Sequence, residues 1–191
     1  MKESLRMIIV LTFFAALSGG VLGWFNSFTE KRVEMNKLKE LQNSLKAVTE
    51  MDPKTDAYEN IVKEKDFEIY KIISGTQVKA YAIVGEGNGY QDKIRLIFGV
   101  KPDFSEIIAL KVLEEKETPG LGAKIESPDY LAQWKGKGAN SKLELVKTPP
   151  KTKYEVQAIS GATISSTTVV NIVNKSLERA RRIIKEKEEG K

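Results

Sequence analysis

The chain has 191 residues, room for one ordinary domain and an appendage, and its 31 lysines and arginines against 26 aspartates and glutamates leave a net charge of +5. The two signs are interleaved, as on a solvated surface, which points away from a nucleic-acid stripe. There is no cysteine and no histidine, so disulfides, thiolate nucleophiles, Ser-His dyads and the usual zinc and haem ligands are excluded, and redox chemistry would need an organic cofactor. Carboxylate sites for magnesium or calcium stay open by composition, but no metal site is assigned.

In chain order, a short basic start over residues 1–6 carries Lys2 and Arg6. An uncharged apolar run, MIIVLTFFAALSGGVLGWFNSF, then occupies residues 7–28. A bilayer core takes about 20 such residues as helix, and Trp24, Phe25 and Phe28 stand where rings favour the headgroup region. The run predicts a transmembrane helix. A cleavable leader ending near Ala16-Leu17-Ser18 is the competing reading, but the apolar run continues well past that point. Ala15, Gly19 and Gly23 recur every fourth residue, a spacing that lets a second membrane helix approach. Lysines and arginines flank both ends of the run, so charge alone does not orient it.

Residues 29–52 turn amphipathic. Leu38, Leu41, Leu45 and Val48 fall at helical spacing, which predicts a stalk helix ended by Asp52-Pro53. The remainder, 53–191, is expected to be one domain. FEIYKII, VKAYAIVG, KIRLIFGV and EIIALKVLEE are short and β-branched, separated by Gly, Asn, Asp or Pro, and predict an antiparallel meander. Asp129–Trp134 suits a short helix and Lys142–Val146 a further strand. A long helix closes the chain, with Val170, Val173, Leu177, Ala180 and Ile184 on one stripe and Asn171, Lys175, Glu178, Arg182 and Lys185 opposite. The fold class is α+β: a membrane helix, a stalk, an antiparallel sheet and a packed C-terminal helix.

Two stretches invite a ligand. ISGATISSTT, residues 159–168, crowds hydroxyls at the mouth of the last helix. Ser165 or Ser166 suits the N-cap, Gly161 a tight turn, and the exposed amides an anion, with Thr163 and its serine neighbours as further donors. A capped helix after a turn accounts for the same residues. ETPGLG, residues 117–122, stiffens a loop at Pro119 and bares the backbone at Gly120 and Gly122. Such a loop admits a flat ring, with Leu121 as apolar contact and Glu117 or Thr118 as polar ones. An ordinary Pro-Gly turn reads the same way.

Taken together and in order, the N-terminal span, GEGNGYQDKI, KETPGLGAKI, WKGK and SGATISS resemble the FMN-binding domain of the G subunit of the Rnf electron-transport complex. The C subunit of the sodium-pumping NADH:quinone reductase is similar. The resemblance covers nearly the whole chain. It implies a membrane-anchored flavoprotein that relays electrons between partner cofactors in an ion-translocating ferredoxin:NAD oxidoreductase, without catalysis of its own. It implies FMN joined through its phosphate to Thr163, with Ser160, Gly161 and Ala162 as the recognition turn, and Glu117, Thr118, Leu121 and Gly122 beside the isoalloxazine. Ser165 stands among the cofactor-binding candidates. The implied partners are the other membrane subunits and, for maturation, a flavin transferase using FAD and a divalent metal. The implied location is the inner membrane in a single pass, with the N-terminus cytoplasmic and the domain outside the cytoplasm. Two positions depart from the family's common pattern: Gln157 stands where Asp is usual, and Glu115 where His is frequent. A protein of the same fold holding FMN without a bond, and a non-redox extracytoplasmic binding module, are the alternatives.

Overall fold

The computed structural model describes the backbone of residues 2–190 and the side chains of residues 5–21, 24, 35, 36, 38–187, 189 and 190. The remaining side chains of the expected membrane span and stalk, at 22, 23, 25–34 and 37, lie outside the described residues. The chain divides into two compact units, Met1–Gln42 and Asn43–Lys191.

The first unit is helical. It belongs to α1, Lys2–Thr49, which runs as one helix through both the apolar run and the amphipathic stretch. Leu5, Met7, Ile8, Ile9, Leu11, Phe13, Phe14 and Leu17 are all exposed, so the apolar residues cover the helix all round and not one stripe of it. Among the described residues, no helix is long and apolar enough to cross a membrane.

The second unit begins inside α1, where the sequence expectation starts the domain at residue 53. Ser44, Leu45, Val48 and Thr49 are buried, and the Thr49 hydroxyl donates to the Leu45 carbonyl at 2.7 Å. The helix stops at Thr49, three residues before the expected Asp52, because Glu50 turns into the left-handed region at φ 54°. Asp56 then fastens the exit. It accepts the Asp52 amide at 2.9 Å and pairs with Lys79 at 2.9 Å. The lysine, followed by the Asp52 amide, holds the Asp56 carboxyl well below the usual carboxylate range.

Five strands follow as an antiparallel meander, in spatial order β1 to β5: β1 Asp56–Lys63, β2 Phe67–Ser74, β3 Gln77–Asn88, β4 Lys93–Val100 and β5 Ile107–Glu114. Ile69, Ile83, Phe98 and Leu110 stand opposite one another across four strands and enter the main core. Tyr70, Ala82 and Gly99 occupy the reverse face in the neighbouring register, and the end of α1 lies there. A Cβ at Gly99 would overlap the Val48 carbonyl, so the helix end rests directly on the β4 backbone. Burial on both faces accounts for the nearly unbroken apolar runs of β3 and β4.

The crossover beyond β5 holds a 3-10 turn, Gly122–Glu126, and a short helix α2, Pro128–Ala132, slightly earlier than expected. A two-stranded parallel ribbon follows, β6 Glu144–Val146 with β7 Glu155–Gln157. Helix α3, Thr163–Glu189, then crosses the main-core face. All five residues of its apolar stripe are buried, and the five opposite them are exposed. Its approach to β3 is close: a Cβ on Gly85 would overlap Ser176 Oγ, and one on Gly87 would meet Ile172 at 2.7 Å.

Candidate functional site

The 117–122 loop and the start of α3 are far apart in sequence and adjacent in space. Thr118 closes the loop by accepting the amides of Leu121 and Ala123 at 3.1 and 3.2 Å, and Gly120 supplies the left-handed residue at φ 77°. On the other side, Ala162 donates its amide to the Ile159 carbonyl at 3.0 Å, with Gly161 at φ 79° inside that turn. A Cβ on Gly161 would stand 3.3 Å from Leu121 Cδ2. Between the two segments lies a cavity of about 420 Å³ walled by Tyr90, Glu117, Thr118, Leu121, Gly122, Gly161, Ala162, Thr163, Ile164 and Ser165. That volume falls within the range of small-molecule sites.

Eight of the nine expected site residues therefore line one cavity. Ser160 is exposed at the preceding turn and is not part of the wall. Tyr90 and Ile164 line it without having been singled out from the sequence. A signal was present in both cases. Tyr90 is an aromatic residue in the turn between β3 and β4, and Ile164 is an apolar residue off the buried stripe of α3.

The serines act differently from the capping expectation. The N-cap residue of α3 is Ala162, and it offers no side-chain hydrogen bond. Gly161 starts the helix at Thr163, which places Ser165 and Ser166 already inside the first turn. Ser166 donates to the Ala162 carbonyl at 2.9 Å and accepts the Ile159 amide at 3.1 Å, which braces the turn before the helix. Ser165 donates to Glu117 Oε2 at 2.5 Å. No side chain caps the first amides of α3, and Thr163, Ile164 and Ser165, which carry them, line the cavity, with Thr163 exposed.

Glu117 is the charged group of the wall and is 4% exposed. Beyond Ser165 it accepts the Gln91 amide at 3.0 Å, while its own amide donates to Glu115 Oε2 at 2.5 Å. Burial is the largest single influence on its carboxyl and pushes the pKa up. The Ser165 hydroxyl and the amides of Gln91, Asp92 and Tyr90 together outweigh it, and the net shift is downward. Gly89 and Gly122 make room for this carboxylate: a Cβ on Gly122 would lie 2.6 Å from Glu117 Oε2 and 2.7 Å from Ser165 Oγ. Glu117 is thus an ionised strut joining the β3–β4 turn, the 117–122 loop and α3.

The rim has the opposite character. Among the described residues of the second unit, the large apolar or aromatic side chains that stand exposed are Tyr90 at 68%, Leu121 at 48% and Ile164 at 55%, and all three line this cavity. An apolar rim beside free helix amides suits a ligand with a flat ring at one end and an anion at the other. FMN has that form, so the residues present fit the group.

The fold and this cavity define an FMN-binding domain, and residues 89–178 match the family model of that description. The chain is 31% identical over 88% of its length to the G subunit of the proton-translocating ferredoxin:NAD(+) oxidoreductase complex of Clostridium ljungdahlii, covering 87% of that protein. It is 29% identical over 93% of its length to the G subunit of the ion-translocating oxidoreductase complex of Methanosarcina acetivorans, covering 94% of it. A crystal structure of the C subunit of the Na(+)-translocating NADH-quinone reductase from Parabacteroides distasonis shares the fold with a TM-score of 0.51 and 26% identity, over 58% of this chain and 59% of that one. The chain belongs to the family of G subunits of ion-translocating ferredoxin:NAD(+) oxidoreductase (Rnf) complexes, whose members are components of oxidoreductase complexes.

Proposed function

We propose that this chain is the flavin-carrying component of such a complex, holding FMN by a phosphoester on Thr163 and passing electrons between neighbouring cofactors. The observation that carries the reading is the set of Tyr90, Leu121 and Ile164, exposed together around one cavity that the uncapped first turn of α3 also lines. When bound, FMN supplies the one- and two-electron chemistry that a chain without cysteine or histidine lacks. The protein's part is placement. The α3 amides and helix dipole favour the negative charge a phosphodiester keeps. Leu121 and Ile164 would cover ring surface. Gly120 and Gly161 hold the two loops in conformations other residues adopt only with strain. A covalent tether turns cofactor loss into bond cleavage, so a cavity open to solvent still retains its flavin.

The same reading assigns residues 7–28 as a single membrane span and the rest of α1, to Thr49, as its helical extension, with the sheet domain outside the cytoplasm and the N-terminus within it. Its support is the exposed apolar surface of α1 and the family to which the chain belongs. The other membrane subunits are its partners, and a flavin transferase loads it.

Intact mass of the chain made with and without a flavin transferase tests the reading. A gain equal to FMN less water, mapped to the peptide holding Thr163 and lost in Thr163→Val, supports it. An unmodified chain after co-expression, or a modification that survives Thr163→Val, removes the assignment. One residue favours a second reading, FMN held without a bond: Gln157 stands where the resembling family commonly has Asp. Gln157 lies in β7, its amide donating to Gln133 Oε1 at 2.9 Å. Flavin released to the supernatant on acid precipitation would select that reading.

A further inference from the structure

The middle turns of α3 and the segment entering β6 enclose a second cavity, which shares no wall residue with the first. It measures about 420 Å³, and its walls include Lys142, Asn174, Lys175, Leu177, Glu178 and Arg181. Asn174 clamps the entering segment to α3. Its Oδ1 accepts the Leu143 amide and its Nδ2 donates to the Leu143 carbonyl, both at 2.9 Å. The walls are therefore held in place without any ligand.

The charge of this cavity is unbalanced. Lys142, Lys175 and Arg181 bring three cations to it, and Glu178 is the one carboxylate in its lining. Among the described residues, none of the three cations has a carboxylate within ion-pair distance. On the sheet, by contrast, Lys79, Lys93, Arg95 and Lys101 each hold one. The Arg181 guanidinium stands 5.9 Å from the centroid of the Phe104 ring, and its Nη2 donates to the Ala139 carbonyl. Its Nε is buried without an acceptor, and Nη1 has none among the described residues. Burial pushes the Arg181 pKa down, yet a guanidinium keeps its charge in proteins, so an anion beside it would offset the lost hydration. Lys142 and Lys175 are exposed on two different elements, and Arg181 is partly buried. A single small anion needs donors converged on one point, and the Leu143 amide, which could join them, is already taken. Separate cations on two elements suit several carboxylates carried by one chain segment.

We propose that this cavity is a docking site for an acidic segment of a neighbouring subunit, with Lys142 and Lys175 steering its carboxylates and Arg181 seating one of them. This rests on the reading of the chain as one subunit among others, and not on its flavin.

The test uses the complex purified with the full chain in place and washed over a series of salt concentrations. Lys142→Glu and Lys175→Glu should each release the chain at severalfold lower salt than wild type, and the double variant lower still. The double variant Lys142→Arg with Lys175→Arg should be retained as wild type is. Arg182→Glu makes the same charge change on α3 outside the cavity and should also behave as wild type. In the wild-type complex, a carbodiimide should join Lys142 or Lys175 to an aspartate or glutamate of another subunit. Wild-type retention of both glutamate variants, equal loss in Arg182→Glu, or amides formed only within the chain would overturn the proposal. Saturable binding of inorganic phosphate to the full chain alone, lost in the glutamate variants while their retention is unchanged, would make this a free-anion site and overturn docking. A wild-type chain that co-purifies with no other subunit at any salt overturns the subunit reading and this proposal together.

Discussion

The hydroxyl of Ser165, in the first turn of α3, donates a 2.5 Å hydrogen bond to Oε2 of Glu117, in the loop beyond β5. Both residues are almost fully buried. This bond is the joint between the two cavity-forming segments, and it sits where the hydroxyl cluster and the glycine loop meet. Gly122 lies against it so closely that a single methyl group would strike both partners. Gly122→Ala should therefore lower stability by about 1–3 kcal/mol through overpacking, read from denaturant melts. A loss below half a kilocalorie would mean that the loop yields without disturbing the joint.

The charge on Glu117 makes a pH prediction. Its folded pKa is depressed, so the unfolded state binds more protons in the acid range. The contribution of Glu117 is thus fully present above its unfolded pKa and is lost as pH falls through the folded value. Asp56, Asp92, Asp103 and Glu106 are shifted the same way, so the acid limb of wild type is shared. Glu117→Gln should flatten that limb and leave the slope from the others. Chemical denaturation at a series of pH values below neutrality checks this, and an unchanged slope would show that folding does not shift the Glu117 pKa.

Much of this was legible in the sequence where the signal is local. The runs of β2 to β5 and the stripe of α3 are patterns of burial, and a chain buried on one or two faces writes them directly. Strand β1, DAYENIVK, was not legible, because an edge strand with Glu59, Asn60 and Lys63 facing water has little apolar pattern and is defined by its pairing with β2. Strand β7 is three residues long and exists through its parallel pairing with β6. The serines show the same limit at the site. Hydroxyls before a helical stripe read as caps, but where α3 starts depends on Gly161, and what Ser165 bonds depends on a loop that only the fold brings near. The two motif loops themselves stood out because glycine and proline punctuate a chain whatever its tertiary context.

The interior of α3 offers a stability test independent of any cofactor. Leu177 is 1% exposed in the core between α3 and the sheet. Leu177→Ala should cost about 2–5 kcal/mol, the usual range for a buried leucine truncated to a cavity. Gly85→Ala should also destabilise, because the new methyl would overlap Ser176 Oγ and meet Ile172 at 2.8 Å. Thermal melts of the full chain compare the two. A wild-type melt in either variant would mean that α3 is less tightly docked than this packing requires.

Leu121 and Ile164 make the converse case, in which stability should be silent and the cofactor should report. Both are about half exposed, so replacing either with serine removes little packing, and the unliganded domain should melt within about 0.5 kcal/mol of wild type. With flavin bound, the same residues would be covered. A serine then puts a polar group and water where an apolar surface met the ring. The visible absorption band of a bound flavin sharpens in a dry, apolar environment, so Leu121→Ser and Ile164→Ser should each blur that structure toward the spectrum of free FMN. The double variant should go further than either alone, because the two side chains come from opposite walls of the cavity. A large drop in apo stability would instead make these residues structural. Unchanged spectra in both single variants and the double would place the flavin ring elsewhere on the domain.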